Sequence, residues 1–141
     1  WKRLDRLAET GLPIHITEVS FATEDRDAQA NALESFYRTA FAHPDVEAFF
    51  LWGFWSRAHW LGKKAALVRA DGSLTPAAET LSRLLREEWV TRVSGRTDAQ
   101  GVFRFRGFYG TYTLQSPGSD PVEITFDREQ TETSLSLNPV K

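Results

Sequence analysis

Two short apolar runs with an amphipathic stretch between them do most to limit what this chain can fold into. The first is Pro13-Ile14-His15-Ile16-Thr17-Glu18; the second is Phe49-Phe50-Leu51-Trp52-Gly53-Phe54-Trp55. Between them Ala28, Ala32, Leu33, Phe36, Tyr37, Ala40 and Phe41 recur at the three-four spacing of one helical face. Strand, helix, strand is the grammar of a parallel sheet, and such sheets gather ligands at the carboxyl ends of their strands. Here one run ends at a carboxylate, Glu18, and the next at indoles, Trp52 and Trp55. Indole faces stack on the C–H faces of sugar rings while a carboxylate supplies polar chemistry, so this pairing points to a carbohydrate site.

The flanking sequence supports the same grammar. Leu4, Leu7 and Ala8 share a helical face that Gly11 can stop, so the chain is expected to open inside a helix, as a piece of a longer one would. Gly11-Leu12-Pro13 turns into a strand over 14–18. Thr23 is the expected cap of the next helix, with Glu24 and Asp25 in its first turn and Pro44 ending it near His43. Residues 47–53 form a nearly continuous apolar strand, and 56–74 read as a loop with a turn at Asp71-Gly72-Ser73. Thr75 and Pro76 open a further helix whose expected buried stripe is Ala78, Leu81, Leu84, Leu85 and Trp89, fading near Arg92.

The character changes after residue 93. Phe103 with Phe105, Tyr112 with Leu114, Val122 with Ile124 and Phe126, and Leu135 with Leu137 repeat a period of two between turn signals. This predicts a small antiparallel β unit of about four strands over 94–141, following an α/β segment over 1–93.

Bulk properties remove several classes of function. The 141 residues are 41% hydrophobic and 26% charged, as in a globular protein. A net charge of −2 with interspersed signs gives no electrostatic ground for nucleic acid or an anionic membrane as partner, and no apolar run approaches a membrane span. Cysteine is absent, which excludes disulfides and thiolate chemistry. The three histidines lack metal-ligand spacing, and there is no Gly-rich phosphate loop and no supported Ser–His–Asp arrangement. Neither metal nor cofactor is expected.

Each candidate residue has a plainer alternative. Glu18 ends an apolar strand, where burial is costly unless the charge is paired or used; the alternative is an exposed strand-end acid. Trp52, Trp55 and Trp60 are candidates for lining a site, with Gly53 letting a ligand approach the backbone, against the commoner fate of aromatics in a core. His59 lies beside Trp60 in a loop and is a weaker candidate for substrate contact. His15 falls on the opposite strand face from Glu18, His43 sits at a helix end, and Arg104 and Arg106 read as the solvated face of a strand.

Taken in order, Gly11 to Glu18, Phe36-Tyr37, His43-Pro44, Leu51-Trp52-Gly53-Phe54-Trp55, Trp60 and Asp71-Gly72-Ser73-Leu74-Thr75-Pro76-Ala77 resemble the end of the catalytic domain of glycoside hydrolase family 10. These are retaining endo-β-1,4-xylanases built on a (β/α)8 TIM barrel. The resemblance covers roughly residues 1–92 and implies the last two strands and helices of that barrel, followed by a small β extension. It places Glu18 on the nucleophile at the end of the seventh strand, and Trp52 and Trp60 on the tryptophans walling the subsite of the cleaved sugar. The sequence departs from the family in Val19-Ser20, where a hydrophobic residue and Asp are usual. It departs again in Phe54 to His59, which replace a polar, Asp-containing loop. Both bear on substrate preference.

Retaining hydrolysis needs two carboxyl groups about 5 Å apart. The family's acid/base lies on a fourth strand with no counterpart here, so the chain is expected to be inactive without the remaining, N-terminal part of the same barrel. The implied partner is xylan or a related β-1,4-linked polysaccharide, and the implied location is secreted or periplasmic. The competing class is a non-catalytic carbohydrate-binding or interaction module using the tryptophans as stacking platforms.

Overall fold

The computed structural model describes residues 1–129. The chain divides into two compact units, Trp1–Glu87 and Glu88–Lys141.

In the first unit, helix α1 (Lys2–Ala8) leads through a turn at Gly11 into strand β1 (Ile14–Val19). Helix α2 (Arg26–Ala42) crosses back, and strand β2 (Val46–Leu51) pairs with β1 in parallel, as the strand-helix-strand order predicts. The register runs Ile14 to Val46, His15 to Ala48, Ile16 to Phe49 and Val19 to Leu51. Between Ile16 and Val19 three steps of β1 face two of β2, so β1 bulges at Thr17 and Glu18. Bulges of this kind re-aim side chains and recur beside active sites.

Asp25, rather than the expected Thr23, caps α2: its carboxylate accepts from the amides of Asp27 and Ala28, both at 3.0 Å. Thr23 acts one step earlier, its hydroxyl accepting from the Asp25 amide at 3.1 Å. A charged acceptor at the positive end of a helix outcompetes a hydroxyl for the orphan N–H groups. The core lies where α2 meets helix α3 (Pro76–Arg83) and the preceding loop. Ala30, Leu33, Leu67 and Ala77 are buried together, with Phe21, Tyr37, Leu51, Ala78 and Leu81 packed on them. Burial raises the Tyr37 phenol above its ordinary value.

Thr75 caps α3 with Pro76 in its first turn, as expected. The helix then widens into a π-helical turn, Leu84–Glu88, and does not continue to Arg92. The extra residue per turn takes the three-four pattern out of phase, so Leu84 is fully buried while Leu85, expected beside it, is 50% exposed. The segment 56–74 is more ordered than a plain loop. It carries a 3-10 turn at Gly62–Lys64 and buries Ala65, Ala66 and Leu67.

In the second unit, strands β3 (Gly110–Leu114) and β4 (Val122–Phe126) form an antiparallel pair from Gly110 opposite Phe126 to Leu114 opposite Val122. The expected strand at Phe103 and Phe105 does not form among the described residues. Those rings do lie stacked, 6.2 Å apart, as alternation predicts. The backbone before them is instead closed into a turn, with the Asp98 carboxylate accepting from the amides of Gln100 and Val102. The fourth expected strand, at Leu135 and Leu137, lies outside the described residues. The described fold is therefore mixed α/β with small two-stranded sheets.

Candidate functional site

The carboxyl ends of β1 and β2 bring the predicted nucleophile and the first tryptophan together through the backbone. The Trp52 amide donates to the Val19 carbonyl at 2.9 Å, and the Ser20 hydroxyl donates to the Trp52 carbonyl at 3.2 Å. Both peptide groups of Trp52 are thus tied to the two residues that follow Glu18. Glu18 itself is exposed at the β1 bulge and makes no hydrogen bond or ion pair among the described residues. Of the two placements the sequence allowed, buried or exposed at the strand end, the structure has the exposed one.

After Trp52 the chain reverses at Gly53, whose φ of +76° favours glycine. The Phe54 carbonyl accepts from the amides of Leu67 and Val68 at 2.9 and 2.8 Å, closing the tryptophan loop onto the buried 65–67 segment. Three indoles stay exposed along this loop, Trp52 by 52%, Trp55 by 38% and Trp60 by 74%. The Arg57 guanidinium lies 5.7 Å from the centre of the Trp55 ring. Exposed indole is costly to leave in water, and three stand exposed in one nine-residue span.

His59 is placed differently from its neighbours. It is 7% exposed, its ring packed under the backbone of Gly53. Its Nδ1 accepts from the Leu61 amide at 3.1 Å, so Nε2 carries the proton. That Nε2 is buried without a hydrogen-bond partner among the described residues. His15 is exposed, 3.8 Å from Glu47. His43 is buried at the end of α2, with Nδ1 accepting from the Asp45 amide and Nε2 3.4 Å from Asp5. Among the described residues no group of three His, Asp or Glu side chains could hold a metal ion. No helix there is long and apolar enough to cross a membrane.

Sequence reasoning passed over Ser20 as a mere departure from a motif, and its hydroxyl proves to anchor Trp52. The only available signal was its position two residues after the carboxylate.

Comparison with known proteins gives the site a context. No protein-family model matches the chain. It is 36% identical over 126 residues to endo-1,4-beta-xylanase 2 of Arabidopsis thaliana, covering 86% of this chain and 11% of that protein. It is 32% identical over 133 residues to endo-1,4-beta-xylanase 1 of the same plant, covering 93% and 14%. The chain is xylanase-like, of the glycoside hydrolase family 10 kind. A third relative is the anti-sigma-I factor RsgI6 of Acetivibrio thermocellus, 45% identical over 126 residues, 88% of this xylanase-like chain and 16% of that protein. The chain spans 16% or less of the length of each of these curated relatives. Glu18, Trp52, Trp55, His59 and Trp60 all fall inside the xylanase-like stretch.

Proposed function

We propose that this chain forms the nucleophile end of a retaining β-1,4-xylanase. The two strands would be the last two of a TIM barrel, and the chain would work only with the remaining strands, which supply the second carboxylate. Glu18 attacks the anomeric carbon as the glycosidic oxygen is protonated by that second group. The bond to the leaving sugar breaks, a glycosyl ester forms on Glu18, and water activated by the second group then releases it. Trp52 and Trp60 wall the sugar at the cleaved bond and Trp55 extends the stacking surface. His59 contributes from beneath the loop by packing against Gly53, its buried Nε2 out of reach of a sugar hydroxyl. A xylan-cleaving protein meets its polymer outside the cytoplasm, so a secreted or periplasmic location belongs to the same proposal.

The observation that carries it is the tie between the Trp52 backbone and Val19-Ser20, which holds a residue with an exposed indole and one with an exposed carboxylate, unpartnered among the described residues, at adjoining strand ends. A second reading is a non-catalytic carbohydrate-binding or interaction module that uses the exposed tryptophans as stacking platforms. The similarity to a protein named as an anti-sigma factor favours that reading.

Release of reducing sugar from xylan by the intact protein that carries this sequence separates the two. Under the enzyme reading Glu18→Gln abolishes release while Trp60→Ala weakens xylan binding by about tenfold, a typical loss for an aromatic anchor. Unchanged release in Glu18→Gln excludes Glu18 as nucleophile. No release from the unmodified protein, with xylan binding lost in Trp52→Ala, establishes the binding role.

A further inference from the structure

Helix α2 carries a polar side chain in its buried stripe. Gln29 is 1% exposed and stands four residues before Leu33, which is buried with it. A buried carboxamide is costly unless each of its polar atoms finds a partner. Here both do. Nε2 donates to the Phe21 carbonyl at 2.9 Å and to the Lys64 carbonyl at 3.4 Å, while Oε1 accepts from Nη1 of Arg26 at 3.1 Å. Two carbonyls and one guanidinium admit a single orientation of the amide, with its nitrogen toward the carbonyls.

Those two carbonyls belong to the loops that follow the two parallel strands. Phe21 comes three residues after Glu18, and Lys64 four after Trp60. The Lys64 carbonyl also accepts from the Thr23 amide at 3.1 Å and from Arg26 at 3.4 Å, and the Lys63 carbonyl accepts from Arg26 at 2.8 Å. The 3-10 turn Gly62–Lys64 is therefore gripped at its end by the start of α2 and the segment before it.

The other side of Trp60 is fixed as closely. His59 is buried, its Nδ1 accepts from the Leu61 amide at 3.1 Å, and its carbonyl accepts from the Gly62 amide at 2.8 Å. The most exposed indole of the loop thus rises from a short span held at both ends. Release of either end lets Trp60 drift relative to the end of β1, and a misplacement of about 1 Å is enough to cost reactivity.

We propose that Gln29 is a positioning residue for sugar binding, its one buried carboxamide coupling the loop after the Glu18 strand to the loop that carries Trp60. Gln29 touches no substrate; it acts through Trp60, with Arg26 as its partner in the same grip. The sugar half of this assignment rests on the function proposed above, and the coupling of the two loops rests on the hydrogen bonds alone.

A double-mutant cycle in the intact protein tests it, read as calorimetric binding of xylohexaose with Glu18→Gln present throughout to prevent turnover. Gln29→Met keeps the length of the side chain and removes its donors and its acceptor. It is expected to weaken binding about three- to tenfold, the loss that one or two hydrogen bonds carry. It is expected to weaken binding no further where Trp60 is already replaced by Ala. Arg26 is only part-buried, so Arg26→Met serves where the core variant does not fold, with the same dependence on Trp60 expected. Without ligand, the Leu61 and Gly62 amides are expected to exchange with deuterium faster in either variant.

Equal weakening with and without the Trp60 indole overturns the proposal, because a merely structural role acts alike in both backgrounds. Unchanged affinity or unchanged amide exchange also overturns it. Either failure leaves the carbohydrate reading standing wherever xylohexaose still binds. Absence of xylohexaose binding before any change at Gln29 or Arg26 removes that reading, and the positioning role with it.

Discussion

The Trp52 amide donates to the Val19 carbonyl at 2.9 Å, one residue beyond Glu18. Because β1 and β2 are parallel, this bond sets the first indole and the carboxylate at the same end of the sheet. The Ser20 hydroxyl secures the other side of the Trp52 peptide.

Ser20→Ala removes that second tie. A hydrogen bond of this kind contributes about 0.5–1.5 kcal/mol, so the looser indole is expected to raise KM for xylan severalfold. The chemical step should change far less, because Glu18 is untouched. Steady-state kinetics on the intact protein check this through the KM-against-kcat split.

Gly53→Ala is expected to be costlier than its size implies. The backbone sits at φ +76°, and an added Cβ would stand 3.0 Å from Cδ2 of the buried His59 ring. Left-handed strain costs about 1–2 kcal/mol, and displacement of the imidazole adds to it. Thermal unfolding should show the loss, and near-ultraviolet circular dichroism should show rearranged tryptophans.

Stability should fall in acid partly through Glu34. Hydrogen bonds from Arg38 and then Arg83 hold its carboxyl below the ordinary value of 4.5. The Arg83 bond, at 3.0 Å, joins α3 to α2. A depressed folded pKa means the contribution is complete above the unfolded value and is lost as pH falls through the folded one. The pair is partly exposed, so screening limits it to about 0.2–1 kcal/mol. Glu34→Gln should therefore lower Tm by about 0.5–4 °C at pH 7 and narrow the gap between pH 7 and pH 3. Some acid sensitivity should remain. Glu24, bonded to Lys64, and Asp71, held first by the Ser73 amide, are also shifted down.

The residues differ in how plainly they announced these arrangements. The parallel pair was legible because a helical period between two apolar runs allows little else, and Thr75-Pro76 is a strong helix start. Thr23 and Asp25 both offer an acceptor near the start of α2, and only geometry decides that Asp25 takes the cap. The π-helical turn at Leu84 is invisible to a three-four count. Ala65 to Leu67 are small and apolar, and nothing local says that the loop folds them into the core. His59 stands next to the most exposed tryptophan yet is buried, because its place is set by the turn at Gly53.

The central claim is that Glu18 becomes covalently bonded to sugar. The most direct measurement is mass spectrometry of the intact protein after reaction with a xylobioside carrying fluorine at C2 and a good leaving group, followed by peptide mapping. The account predicts one added fluoroxylobiosyl group, two sugar units, on the peptide containing Glu18, and none in Glu18→Gln. An adduct on another carboxylate, or turnover of xylan with no adduct at Glu18, would contradict it.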